Sequence, residues 1–236
     1  MKKHILIIGG SHCCGYLNNA GTNDWIHMLS LDYDITVMAL PGTSNQTCKL
    51  MLDHYLDSHS KPDHIIFEAM PGNRLDLGCN ATAVPITDIE HNKRFLASRR
   101  GHAFECGCKF NEPDDGKPLW RSYICSDQTG MIERDKPELK KWIDYGVMIG
   151  TIPMNNDYGF VETSYIKSHS HDIPFSWFMM NQHMWDNNKE HFTTLEKYNP
   201  ALDITGFVCK SESPNHMTKA ENIKLHLIVR KAIESK

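Results

Sequence analysis

His4-Ile5-Leu6-Ile7-Ile8-Gly9-Gly10-Ser11-His12 is the stretch from which the fold can be read. An unbroken apolar run has no solvent side, so it predicts a strand buried on both faces, as in a parallel sheet. Two lysines precede it, as they would in a signal peptide. The run is too short for that, however, and ends in Gly-Gly without a small-residue cleavage site, so a first strand is expected and a cytoplasmic location with it. The same pattern recurs at 35–40, 64–69, 147–152 and 173–180, with a weaker candidate at 203–208.

Helical patterns lie between these runs. At 45–58, Cys48, Met51, Leu52, Tyr55 and Leu56 form one apolar stripe, and Ser44 can cap it. A second helix is expected over 136–145, between Asp135 as N-cap and Gly146, and a third over 186–198. The last, 219–234, starts with a T-x-x-E capping box, Thr218 and Glu221. Alternating strands and helices predict a mostly parallel sheet with helices on both faces, its functional edge at the strand C-termini. The expectation is therefore a three-layer α/β/α, flavodoxin-like, five-stranded sheet forming a single domain over 1–236.

Residues 74–134 break this rhythm. Gly, Pro, Asn and Asp are spread through the stretch together with Cys79, Cys106, Cys108 and Cys125, which predicts an irregular insertion with a short helix near 88–99. The chain has 236 residues, 40% hydrophobic and 23% charged, enough for one sizeable core. A net charge of −4 without a dense Lys/Arg run argues against a nucleic-acid partner. No stretch reaches the length of a membrane-spanning helix, so no membrane insertion is expected.

Four segments carry candidate chemistry. Ser11 follows the first strand and two glycines, so it should stand at the C-terminal edge of the sheet. The G-x-G-x-x-G dinucleotide spacing is absent. Gly10 and Gly15 fit a phosphate loop, but Tyr16 stands where its lysine belongs. A nucleophilic serine and a plain strand-to-helix turn are the remaining readings. Gly42, after the second strand, can present an N–H or simply turn the chain. Asn73, after the third, can donate to an oxyanion or serve as a turn residue. His216 precedes the last helix, whose dipole disfavours the imidazolium and leaves a base for a serine proton. As one of fourteen histidines it could equally be a surface turn residue.

In this order, strand-Gly-Ser, strand-Gly, strand-Asn and a late His before the final helix, the chain resembles the SGNH (GDSL-like) hydrolase family over about 1–75 and 145–235. The resemblance implies Ser11 as nucleophile, His216 as base, and an oxyanion hole of the Ser11 and Gly42 N–H groups with the Asn73 amide. It implies a serine esterase or acyl hydrolase acting on a small acylated substrate or glycan. Three positions depart from the family pattern: Gly10 replaces Asp, Arg74 follows Asn73, and Ser213 replaces the acid three residues before the histidine. Glu212 and Asp203 are the candidate orienting acids, and Arg74 is a candidate for binding an anionic substrate group. The missing acid also supports a non-catalytic SGNH-like binding or interaction module.

Other constellations carry less. Cys13-Cys14 at a helix start could supply a thiolate nucleophile. Cys79, His102, Cys106, Cys108 and Cys125 could hold a structural zinc in the insertion, though Cys-x-Cys is not zinc-ribbon spacing; no cofactor is otherwise expected. His169, His171, Asp172 and His183 resemble metal ligands by composition but fit exposed polar loops as well.

Overall fold

The computed structural model describes residues 2–13, 24–39, 44–70, 74–77, 104–105, 121–124, 141, 158–180, 186, 189–207 and 217–235. Four of the expected strands form one parallel sheet. These are β1 (His4–Gly9), β2 (Asp34–Ala39), β3 (His64–Ala69) and the seventh described strand, β7 (Phe175–Met179), in the order β2-β1-β3-β7. Ile7 sits opposite Val37 on one side and Ile66 on the other, and Phe67 sits opposite Trp177. Ile5 to Ile8 and Ile65 to Phe67 are wholly buried. Successive strand residues point to opposite faces, so both faces of β1 and β3 are covered. That is what the unbroken apolar runs require.

Helix α1 (Trp25–Ser30) packs along β2, and α2 (Asn45–Ser58) along β1. Helix α3 (Gly159–Ser170) packs on α2. A 3-10 turn, Lys189–Phe192, leads into α4 (Thr193–Tyr198), and the final helix α5 (Lys219–Glu234) packs on α1. Asp24 caps α1, accepting from the N–H groups of Ile26 and His27 at 2.9 and 3.3 Å. The expected capping box closes α5. The Glu221 N–H donates to Thr218 Oγ1 at 3.2 Å, and the Thr218 N–H donates to Glu221 Oε2 at 2.7 Å. Leu225, Val229, Ala232 and Ile233 form its buried stripe.

Several expectations are corrected. Residues 203–207 are not a strand. Asp203 folds into a local turn with Thr205, and Gly206 takes φ +85°, a left-handed value that ends any ladder. Within the expected helix at 186–198, Asp186 is helical, Lys189–Phe192 is a 3-10 turn and Thr193–Tyr198 is a short α-helix. The insertion contains a small antiparallel sheet of its own. It comprises β4 (Arg74–Leu77), β5 (Phe104–Glu105) and β6 (Arg121–Ile124), ordered β4-β6-β5, with Arg74 opposite Ile124 and Phe104 opposite Ser122. Strands of two to four residues are too short to show a period. The strand at 147–152, the helix at 88–99 and, apart from Lys141, the helix at 136–145 lie outside the described residues. No described helix is long and apolar enough to cross a membrane.

Candidate functional site

The order β2-β1-β3-β7 places a topological switch point between β1 and β3. From β1 the chain goes on to β2 on one side, and from β3 it goes on to β7 on the other. Clefts beyond the strand C-termini at such points are where open α/β sheets build their sites. The chain leaves β1 there through Gly9 and Gly10 into a 3-10 turn, Ser11–Cys13, with Ser11 partly exposed.

Beneath this turn lies a carboxylate that the sequence reading did not single out. Glu68, on β3, is buried to 1% exposure. Its Oε2 accepts from the Gly10 N–H at 2.7 Å and from the Cys13 thiol at 3.2 Å. Its Oε1 accepts from His12 Nδ1 at 2.5 Å, making a buried carboxylate–imidazole pair. Burial pushes the Glu68 carboxyl upward. The charge on His12, its hydrogen bond, the Cys13 thiol and the Gly10 N–H together outweigh burial and hold the group below the usual carboxylate range. On the other side of the turn, Trp25 Nε1 donates to the His12 carbonyl at 3.0 Å, and the Cys13 N–H donates to the Gly10 carbonyl at 3.1 Å.

Gly9 is glycine for want of space. Neither Gly9 nor Gly10 has a positive φ, so backbone conformation is not what excludes a side chain at Gly9. A Cβ on Gly9 would lie 2.7 Å from Cys13 Sγ, Glu68 Cβ and Glu68 Oε2, so the glycine lets the acid cross directly over β1.

A second fixture lies at the same edge. Asn45, the first residue of α2, is buried and pairs with Met70 as one peptide group pairs with another. Its Nδ2 donates to the Met70 carbonyl at 2.9 Å, and its Oδ1 accepts from the Met70 N–H at 2.7 Å. The start of α2 is thereby tied to the chain leaving β3.

Of the sequence-derived candidates, Ser11 stands at the switch point. Asp203 is exposed, and its Oδ1 accepts the Thr205 N–H at 2.9 Å and the Thr205 hydroxyl at 2.5 Å. Those bonds, the hydroxyl first, draw its carboxyl below the usual range. With Met179, Glu196, Leu202 and Ile204 it lines a cavity of about 180 Å³ past the end of β7. Arg74 begins β4. Gly42, Asn73, Glu212 and His216 lie outside the described residues, as do Cys14, Cys79, His102, Cys106, Cys108, Cys125 and His183.

Cys13 is wholly buried with its thiol on Glu68, so it is not a nucleophile accessible to substrate. His169, His171 and Asp172 are exposed around the C-terminal end of α3. Among the described residues, no group of three or more His, Cys, Asp and Glu is arranged to hold a metal ion.

The signal for Glu68 was present in the sequence. An acid inside an apolar run that must be buried on both faces needs partners, because an unpaired buried charge is too costly. The sequence could not tell which partners. Comparison with protein-family models, curated proteins and solved structures finds no match to this chain.

Proposed function

We propose that this protein is a serine acyl hydrolase of the SGNH type, cleaving esters or O-acetyl groups on a small substrate or glycan. The observation that carries the proposal is the position of Ser11. It is partly exposed at the switch point of a parallel sheet, on a turn pinned from below by a buried acid. In this proposal the sheet gains a fifth strand from 147–152 and is covered by helices in three layers.

His216 takes the proton from Ser11 Oγ as it attacks the ester carbonyl. The N–H groups of Ser11 and Gly42 and the Asn73 amide stabilise the oxyanion. The alcohol leaves with the proton from His216, and an acyl-serine remains. Water activated by His216 then releases the acid. Glu212 or Asp203 orients the imidazole in place of the absent acid at 213, and Arg74 binds an anionic group of the substrate.

The test is hydrolysis of short p-nitrophenyl esters by the wild type, Ser11→Ala and His216→Ala. Turnover by the wild type, lowered roughly 10⁴-fold or more in both variants, supports the proposal. Equal rates in all three, at the uncatalysed level, favour instead a non-catalytic binding module, to which Ser213 in the position of the acid already points.

A further inference from the structure

We propose that Glu68 is a positioning residue for Ser11: from the neighbouring strand its carboxylate gathers Gly10, His12 and Cys13 and so sets the turn that carries the serine. The inference rests on the serine-hydrolase reading and adds to it a residue which that reading leaves unused.

The geometry carries it. Glu68 belongs to β3, between β1 and β7, with Phe178 opposite it in register, so its backbone is part of the rigid sheet. Its three bonds fall on residues 10, 12 and 13, before and after Ser11 in the chain. Glu68 Cβ lies against Gly9, and this close approach admits no side chain there. The turn is therefore referenced to the sheet through this side chain, while Trp25 holds it from behind through the His12 carbonyl. The Gly10 N–H is committed to Glu68, so the turn's contribution to an oxyanion hole falls to the Ser11 N–H.

Charge points the same way. A bare buried carboxylate next to Ser11 would oppose the negative charge that develops on the serine and the bound oxyanion. His12 Nδ1, at 2.5 Å, balances it when the imidazole is protonated, so the acid can then organise the turn without an uncompensated charge beneath it. Glutamine cannot reproduce this arrangement. Both oxygens of Glu68 accept hydrogen bonds; an NH₂ toward Gly10 would face a donor, and one toward His12 Nδ1 would need the other imidazole tautomer and would forfeit the charge.

The test is labelling of the full chain with a fluorophosphonate, in which the attacking serine oxygen forms a bond to phosphorus and fluoride leaves. It is read by intact mass and run alongside p-nitrophenyl acetate kinetics. Rates are taken per folded molecule, with the folded fraction checked by circular dichroism. The wild type takes one label, and Ser11→Ala takes none. Glu68→Gln labels about 10²-fold more slowly, the scale of a small misplacement of a reacting group. Its kcat falls by the same factor with KM within about twofold of wild type, a split that a purely structural loss would not produce. Glu68→Asp, which keeps the charge and both acceptors on a shorter arm, recovers part of the rate. Should Glu68→Gln fail to fold, Cys13→Ala removes only one of the three bonds and should slow labelling by roughly 3–10-fold, as expected for an indirect contact.

If Ser11 is labelled in the wild type, and those of Glu68→Gln and Cys13→Ala that fold react at the wild-type rate, the positioning role is overturned while the hydrolase proposal stands. A wild type that takes no label, or a Ser11→Ala that keeps it, removes both.

Discussion

Adding one methyl group at Gly9 and one at Gly10 should have very unequal consequences, although the two glycines are adjacent and both lack a positive φ. At a compatible backbone, Gly→Ala stabilises by about 0.4–1 kcal/mol because the unfolded chain loses freedom. At Gly10 the new Cβ would meet Met70 Sδ at 2.7 Å and Met70 Cε at 3.0 Å. Those atoms are the far end of an unbranched side chain that can swing aside, so the net change should stay within about 1 kcal/mol. At Gly9 it would meet Cys13 Sγ, Glu68 Cβ and Glu68 Oε2, each at 2.7 Å. None of these moves cheaply, since Glu68 Cβ is fixed to the middle of the sheet and the other two atoms share a hydrogen bond. Overpacking of this kind costs about 1–3 kcal/mol. Pushing Glu68 off a buried donor adds about 1.5–3 kcal/mol more. Taking about 3 kcal/mol as the net loss, Tm should fall by roughly 6–12 °C in a chain of this length. Urea and thermal unfolding of the two variants beside wild type measure the difference. Gly9→Ala as stable as wild type, or Gly10→Ala the weaker of the two, would refute the close approach of Glu68 to β1.

Asn45→Ala should leave the Met70 N–H and carbonyl without their amide partner and cost about 2–4 kcal/mol in urea unfolding. A loss below about 1 kcal/mol would mean that the pairing is not structural. Stability should also decline on acidification. Glu68 stays ionised in the folded protein to lower pH than in the unfolded chain. Its contribution is therefore present above about pH 4.5 and lost as pH falls through the folded value. The imidazoles of His54 and His226 are pushed down, chiefly by burial and then by the charges of His59 and Arg230 respectively. The unfolded chain thus takes up those protons first below about pH 6.5. Urea midpoints measured between about pH 4 and 8 should rise with pH, and His226→Gln should flatten the part between about 5 and 7; a midpoint constant from about pH 4 to 7 would contradict the assignment.

The sheet was legible in the chain because burial on both faces demands continuous apolar residues, and 4–9, 64–69 and the core of 173–180 meet that demand without ambiguity. Helices with a long apolar stripe or a capping box, α2 and α5, were equally plain. Short elements were not. Helix α1 has six residues, and its N-cap Asp24 sits in a polar stretch that reads as loop. Helix α3 alternates Thr, Ser, Lys and His with its apolar residues and shows no clean stripe. Its place is decided by packing on α2 instead of by local preference.

The candidate site divides along the same line. That Ser11 ends a buried strand behind two glycines follows from the sequence alone, because strand burial and chain direction are local properties. That Gly9 makes room for Glu68 could only come from the fold. The acid and the Gly10 N–H are 58 residues apart in the chain, and they meet because β1 and β3 pair in parallel with Ile8 opposite Phe67. Local patterns specify which segments must be buried. Which buried polar group answers which donor depends on strand order and register, and these are set by the whole chain packing at once.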